Sequence, residues 1–220
     1  MTADAFVDDD GISHRFHQAI DDDNHVATYI YIDGSSQQID DVNIMTWGLA
    51  ACRVDSQMTH DVRQTSGGII DQNPVSFAFM GAAKHNSFVA EINAGLMARL
   101  YILQAPQWVR DKPIIIAYDS KSAANVITAR DVYHSCEDLC KCAMAIHRIV
   151  ESKCDITDFH IHSHNMHPWN ELVDSICTFY AQKPQESRTW STPLAPLTPY
   201  KAFCIDVASG LIDPFIEASW

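Results

Sequence analysis

The stretch from His164 to Asp174 reads HNMHPWNELVD and combines a helix start with titratable side chains. Pro168 suits the first turn of a helix, because its missing N–H would find no intrahelical partner there. On a helix that begins at Pro168, Asn170 and Asp174 stand four residues apart and share a face. His164 and His167 lie in the segment that enters this helix, where an imidazole can titrate near neutral pH. This stretch predicts half of a functional site.

Three further acids stand at the ends or starts of predicted elements. Asp33 closes the run YIYIDGS, Asp119 closes IIIAYDS, and Glu91 lies in the first turn of a helix with apolar periodicity. Each acid alone is explained by a strand end or a helix N-terminus. Together with Asp174, the four carboxylates come from four elements and can converge. Clustered carboxylates are the hard ligands that hold two Mg²⁺ ions about 3.5–4 Å apart in phosphoryl transfer.

Composition sets the class of protein. The 220 residues are 47% hydrophobic, which is enough for one sizeable core. No run approaches the roughly 20 apolar residues of a membrane span, and the N-terminus lacks a basic, apolar signal, so an intracellular protein without membrane contact is expected. Seven cysteines, an odd number, argue against a full disulfide framework.

The net charge argues against a generic nucleic-acid binder, because phosphate contacts need clustered Lys and Arg. The formal charge is −13, but residues 26–183 hold 12 Lys and Arg against 17 Asp and Glu, a net of −5. Four of these acids belong to the predicted site, and bound cations would offset their charge. Local attraction for a phosphate backbone therefore remains compatible with the sequence.

The chain divides into three parts. Residues 1–25 hold two Asp triplets and predict an acidic, largely disordered leader, and residues 184–220 predict a Pro-rich linker and C-terminal extension. Between them we predict an α/β domain at 26–183, with a polar connection at 35–43. Its predicted strands are 26–32, 46–54, 65–82 with an interruption at Asn73-Pro74, 114–118 and 156–162. Its predicted helices are 88–105, 121–129, 135–152 and 168–182.

The motifs DGS, AE, DS and HxxHPxNExxD occur in this order and resemble those of the type 1 ribonuclease H family. The resemblance covers roughly residues 26–183. It implies a ribonuclease H-like fold, a five-stranded mixed sheet of three antiparallel and then parallel strands with helices on both faces. The forms SFxAE and HPWNEL are most similar to the ribonuclease H domains of non-LTR retrotransposon polyproteins.

The resemblance also implies roles for individual residues. Asp33 would bridge two Mg²⁺ ions, for which Mn²⁺ can substitute, with Glu91 and Asp119 completing the shell of one ion and Asp174 that of the other. His164 matches a histidine that assists proton transfer or product release. The residues implied on the substrate side are Gly34, Ser35, Ser120 and Asn170.

The implied function is hydrolysis of the RNA strand of RNA/DNA hybrids, leaving 5′-phosphate and 3′-hydroxyl ends. The alternatives are a related exonuclease of the same fold and a non-catalytic scaffold module. Two departures concern substrate binding: Ser87 and Phe88 replace a pair of asparagines of the family, and no Lys-rich segment follows the helix after Asp119. We therefore expect hybrid binding to depend on a partner, such as a reverse transcriptase or another polyprotein domain. The sequence gives no indication of oligomeric state.

A zinc site is the remaining alternative. Cys136, Cys140 and Cys142 could combine with the histidines of the segment 160–167. Their spacing does not match a paired-ligand knuckle, and His160 and His162 alternate with apolar residues as in a strand. We expect core and surface roles for these side chains.

Overall fold

A computed structural model of the chain describes residues 5–7, 13–16, 20, 22–76, 79–162 and 167–182. The linker and extension predicted for residues 184–220 and the predicted proton-transfer residue His164 lie outside these ranges.

One mixed sheet runs through the described residues. Its strands are β1 (Ala5–Val7), β2 (Ser13–Phe16), β3 (Ala27–Ile39), β4 (Val42–Val54), β5 (Thr59–Ile69), β6 (Ile114–Tyr118) and β7 (Ile156–His160). Their order across the sheet is β1-β2-β5-β4-β3-β6-β7. The pairs β3–β4 and β4–β5 are antiparallel, whereas β3–β6 and β6–β7 are parallel. The expected five-stranded mixed α/β sheet is confirmed, and two short strands extend it at one edge.

Helices cover this sheet. They are α1 (Ser87–Gln104), α2 (Gln107–Arg110), α3 (Lys121–Ile127), α4 (Glu137–Lys153) and α5 (Pro168–Gln182), with short 3-10 turns at Asp22–Asn24 and His134–Cys136. The predicted start of the last helix at Pro168 is confirmed. Among the residues that the structure describes, no helix is both long and apolar enough to cross a membrane.

Alternate residues of β3 face opposite sides of the sheet, as the strand period of two requires. Ile30 and Ile32 belong to the larger core with α1 and α4, whereas Tyr31 belongs to a smaller core with Trp169 and Val173 of α5. The sheet is therefore covered by α1, α3 and α4 on one face and by α5 on the other. Asp33 follows Tyr31 at the next position on the α5 face.

The predicted polar connection at 35–43 was wrong in extent. Strands β3 and β4 continue through it and meet in a two-residue turn at Asp40 and Asp41, whose φ angles are 49° and 61°. Asp tolerates the left-handed region better than most residues, and two such residues match the twist of a tight hairpin. The polar side chains at 35–39 are compatible with a strand, because this part of β3 is only partly buried.

The strand predicted at 65–82 was also misplaced, since β5 covers Thr59–Ile69. Beyond its end, Oδ1 of Asp71 accepts a hydrogen bond from the N–H of Asn73 at 2.9 Å, and Oδ1 of Asn73 accepts one from the N–H of Val75 at 3.2 Å. These local side-chain bonds compete with strand pairing, and Pro74 has no N–H to give to a ladder. The chain therefore leaves the sheet at residue 70.

Two short strands lie within residues 1–25, for which a largely disordered leader is predicted, and the rest of that segment is described only at residue 20 and from residue 22 onward. β1 pairs with β2, and β2 lies parallel to β5. The N–H of Ile20 donates to Oδ2 of Asp61 at 3.2 Å, and its carbonyl oxygen accepts from Arg53 at 3.4 Å. The free edge of β5 supplies unpaired backbone groups, and a neighbouring strand satisfies them despite the acidic composition.

Candidate active site

Asp33 lies where the sheet opens. The parallel pairing of β3 with β6 ends at the pair Tyr31 and Ala117, while β3 continues past Asp33 in its pairing with β4. From β3 the chain continues into β4, which lies on one side of β3 in the sheet. It reaches β6, on the other side of β3, only after α1. Ligands of open α/β sheets bind in such a crevice, outside the carboxyl ends of the strands at a switch in strand order. Asp33 therefore points into the natural binding crevice of this sheet.

Glu91 reaches the same crevice because α1 touches the backbone of β3. A Cβ atom added to Gly34 would lie 2.2 Å from the carbonyl carbon of Ala90 and 2.3 Å from the nitrogen of Glu91, so no side chain fits there. The helix begins at this place because Oδ1 of Asn86 accepts a hydrogen bond from the N–H of Val89 at 2.8 Å. Glycine at position 34 thus allows the contact that brings Glu91 beside Asp33.

Asp119 follows directly after β6, as predicted. Its backbone carbonyl oxygen accepts a hydrogen bond from Nε2 of His160 at the end of β7, at 3.1 Å. This bond ties the end of β6 to the neighbouring strand. Ser120 is partly buried and occupies the position before α3 without a side-chain capping bond. His160 therefore has a structural role next to the site.

Three carboxylates meet in the crevice. One oxygen each from Asp33, Glu91 and Asp119 lies within 4.8 Å of the other two, with Asp33 buried and the other two partly buried. Burial, then the charges of Asp119 and Asp174, raise the pKa of Asp33 to about 6. Burial, then the charges of Asp33 and Asp119, hold the pKa of Glu91 well above its ordinary value. When ionised, the three carboxylates repel one another. A cation bound between these hard oxygen donors would offset both this repulsion and the cost of burying the negative charges.

Asp174 lies beside this group but outside it. Its charge contributes to the raised pKa of Asp33, so the two side chains are near each other. Asp174 is exposed on α5, and it is not part of the set of oxygens within 4.8 Å. The structure thus brings three predicted acids together closely, with the fourth at the rim of the crevice.

Asn170 occupies a different environment from the one expected for it. The sequence pattern placed its amide on a polar face with Asp174, but Asn170 is 8% exposed. Its Oδ1 is buried, with no hydrogen-bond partner among the described residues. The helix turns this residue toward the sheet because α5 lies very close to the strands below it.

Glycines make this close approach of α5 possible. Gly48 of β4 pairs with Asp33 on one side and with Gly67 of β5 on the other. A Cβ on Gly48 would lie 2.5 Å from the carbonyl oxygen of Val173, and a Cβ on Gly67 would lie 2.5 Å from Cγ2 of Ile176. Glycine within a strand marks such a backbone approach. The sequence carries this signal, since both glycines stand within predicted strands.

The entry to α5 is anchored by stacked rings. His60 of β5 stacks on Trp169, with ring centroids 5.1 Å apart. Nδ1 of His60 donates a hydrogen bond to the carbonyl oxygen of Met58. Nε2 of His60 is therefore the acceptor, and it accepts a hydrogen bond from the hydroxyl of Tyr31 at 2.8 Å. His167 lies 5.5 Å from the ring of Tyr31. All four rings are almost fully buried. The second histidine and the tryptophan of the HxxHPW segment therefore fix the start of α5, which the sequence alone did not indicate.

Ser35 lies two residues beyond Asp33 on the same face of β3. Its Oγ accepts a hydrogen bond from Nε2 of Gln37 at 3.1 Å, and the same amide nitrogen lies 3.3 Å from Oγ1 of Thr178 on α5. Ser35 is partly buried at the rim of the crevice. This placement is compatible with the predicted substrate side, on which Gly34 contributes backbone only.

The zinc alternative gains no support from the described part of the chain. Within it, the carboxylate group of Asp33, Glu91 and Asp119 is the single cluster of three or more His, Cys, Asp or Glu side chains with metal-binding spacing. Cys136, Cys140 and Cys142 are buried in the core formed with α4, as expected.

The raised pKa of Asp33 predicts how stability depends on pH. The pKa of about 6 in the folded state lies above the ordinary value of 3.8, so the folded state binds this proton more tightly. This contribution to stability is fully present below the unfolded pKa and is lost as pH rises through the folded pKa. We expect the free energy of unfolding of the metal-free chain to fall by about 2 kcal/mol between about pH 4 and pH 7.

Urea denaturation in EDTA at a series of pH values measures this dependence. Asp33→Asn should flatten the profile, because the titrating group is gone. A profile with the same slope in the wild type and in Asp33→Asn would contradict the assignment of this proton.

The chain matches no protein-family model. It also matches none of the curated proteins. Solved structures, in contrast, resemble it.

The prototype foamy virus protease-reverse transcriptase is similar over 72% of this chain, with 18% sequence identity and a TM-score of 0.52. This match covers 21% of the viral chain, so the present chain spans about a fifth of that protein. The PFV RNase H domain in solution is similar over 70% of this chain and 93% of its own, with 19% identity and a TM-score of 0.50.

LC9-RNase H1, a type 1 RNase H with the type 2 active-site motif, is similar over 86% of both chains, with 12% identity and a TM-score of 0.50. At these identities the likeness concerns the backbone arrangement. It agrees with the central five strands, their order and their mix of parallel and antiparallel pairs. The fold of this chain is that of ribonuclease H.

Proposed function

We propose that this chain is an endoribonuclease that hydrolyses the RNA strand of RNA/DNA hybrids and leaves 5′-phosphate and 3′-hydroxyl ends. The observation that supports the proposal most is the approach of Asp33, Glu91 and Asp119 to within 4.8 Å in the crevice of a ribonuclease H fold. Fold alone does not determine activity, but this group stands where ligands bind in open α/β sheets.

Divalent cations fit the side chains of this crevice. The donors are carboxylate oxygens, which suit Mg²⁺ and Mn²⁺ rather than softer metals. Asp33, Glu91, Asp119 and Asp174 would hold two such ions. When bound, the ions would supply activation of a water molecule and stabilisation of the leaving oxygen.

The chain's own residues bind and orient in this proposal. Gly34 and Ser35 follow Asp33 in β3, and Ser120 follows Asp119; we propose that these residues contact the sugar-phosphate backbone of the substrate. His164 lies outside the described residues, three positions before His167 in the sequence, and we propose that it carries protons to or from the departing product. Asn170 would contact the substrate only after a change in its buried position.

A non-catalytic scaffold is the second candidate. A scaffold has no use for carboxylates that raise each other's pKa, since their repulsion lowers stability. The third candidate, an exonuclease of the same fold, would use the same carboxylates. The foamy virus match covers a small part of a protease-reverse transcriptase. It supports the further proposal that a polymerase or another polyprotein domain assists substrate binding.

The deciding experiment is cleavage of a labelled RNA/DNA hybrid beside RNA/RNA and DNA/DNA duplexes, each with Mg²⁺ or Mn²⁺ and again with EDTA. We expect internal cuts in the RNA strand of the hybrid, and none with EDTA. Comparison of end-labelled with internally labelled RNA separates an endonuclease from an exonuclease. Intact hybrid at high enzyme concentration, also after fusion to a basic hybrid-binding module, would favour the scaffold.

A further inference from the structure

A buried cysteine lies directly against Asp33. Cys177 of α5 is 0% exposed, and its Sγ lies 3.4 Å from the carbonyl oxygen of Asp33, to which the thiol donates a hydrogen bond. Hydrogen bonding from the thiol also lowers the pKa of the Asp33 carboxyl group, against the effect of burial.

The surroundings keep this thiol a donor. Burial, followed by the charge of Asp33, holds the pKa of Cys177 well above its ordinary value, so it stays protonated near neutral pH. Thr46 of β4 lies near the sulfur and lowers that pKa, but its buried Oγ1 has no hydrogen-bond partner among the described residues.

The size of the side chain matters as well. A Cβ on Gly48, the residue paired with Asp33, would lie 3.2 Å from Sγ of Cys177, so the sulfur fills the gap between the helix and the strand. Asp174 lies three residues earlier on α5, on the adjacent turn of the helix. The thiol therefore contacts Asp33, one predicted ligand. It also sets the distance between the sheet and α5, the helix that carries the predicted ligand Asp174.

We infer that Cys177 is a positioning residue, which holds the backbone of Asp33 and seats α5 so that Asp33 and Asp174 both meet a divalent cation in the crevice. The effect on metal binding stands independently of the reaction, whereas the effect on turnover rests on the function proposed above. The thiol itself contacts neither cation nor substrate.

The test measures Mn²⁺ binding to the full chain by calorimetry without nucleic acid, and then hybrid cleavage as a function of Mn²⁺ concentration. Cys177→Ala removes the donor, and Cys177→Ser restores a donor of smaller size. Cys142→Ala is the matched control, because this cysteine is equally buried on the inner side of α4 and belongs to the other core.

We expect Cys177→Ala to weaken Mn²⁺ binding by about 3- to 10-fold, the range of one ordinary hydrogen bond. Cys177→Ser should recover most of that loss. Cys142→Ala should lose thermal stability but keep the affinity of the wild type. In cleavage, Cys177→Ala should need more Mn²⁺ for half-maximal rate while the KM for hybrid stays constant.

Equal Mn²⁺ affinity in the wild type and in Cys177→Ala would overturn the inference. So would a loss in Cys177→Ala that Cys177→Ser does not recover at all, since that would indicate packing alone. If no variant and no wild type cleaves hybrid while the Mn²⁺ affinities follow the expected order, the proposed function fails and the positioning role stands.

Discussion

Asp33→Asn is expected to reduce metal-dependent hybrid cleavage by at least about 10³-fold, and Asp119→Asn should behave alike. Each substitution removes a negatively charged oxygen ligand from a group that spans 4.8 Å, so the remaining carboxylates hold a divalent cation poorly. Loss of an electrostatic contribution to the transition state commonly has an effect of this size. Turnover by quantitative cleavage of a labelled hybrid measures it.

The same substitution should leave the fold intact. Neutralising Asp33 relieves repulsion by Asp119 and Asp174 and removes a buried charge, so the melting temperature without metal should be equal or higher. Asp131→Asn is a matched control, because Asp131 is an exposed carboxylate between α3 and α4, outside the cluster. Wild-type turnover in Asp33→Asn, with full loss in Asp131→Asn, would place the chemistry elsewhere.

Gly34→Ala is expected to lower the free energy of unfolding by about 3 kcal/mol and to abolish tight metal binding. The new Cβ would lie 2.2–2.3 Å from the backbone of Ala90 and Glu91, so α1 must move away from β3. Backbone atoms cannot rotate aside as a side chain can, and overpacking in a core typically destabilises by 1–3 kcal/mol. Glu91 would move with the helix and leave the carboxylate group.

Urea denaturation and Mn²⁺ calorimetry on the same preparation measure both effects. Gly68→Ala provides the control, since its Cβ would meet only side-chain atoms of Trp47, the nearest at 3.2 Å. It should cost less than about 1 kcal/mol and leave metal binding unchanged. If Gly34→Ala bound Mn²⁺ as tightly as the wild type, Glu91 would not depend on this contact.

The regular elements of the domain were predictable from local patterns. The apolar run Ile114–Tyr118 is a strand and Pro168 starts a helix, because these signals depend on side-chain periodicity and on the chemistry of proline. The extent of the β3–β4 hairpin was not, because polar residues at its partly buried end carry no alternation. The edge strand at 13–16 depends on the free backbone groups of β5, which a local pattern does not contain.

The identity of the candidate site divides in the same way. The order of Asp33, Glu91, Asp119 and Asp174 at the ends or starts of predicted elements was sufficient to indicate a carboxylate site. The distances between these carboxylates depend on packing. Gly34 allows α1 to approach β3 closely, and Gly48 and Gly67 allow α5 to approach β4 and β5. The structure holds three of the acids within 4.8 Å and leaves the fourth exposed at the rim.

The sequence by itself determined which residue types stand at the carboxyl ends of the strands, because strand ends and helix starts are set by short-range chemistry. Only the tertiary structure decided that Asn170 is buried, that His167 and Trp169 anchor α5, and that Cys177 lies against Asp33. These contacts join residues up to 144 positions apart. Residues so far apart in the sequence come together only when the helices pack on the sheet. The distance between helix and sheet is set by a few glycines, which have no side chain.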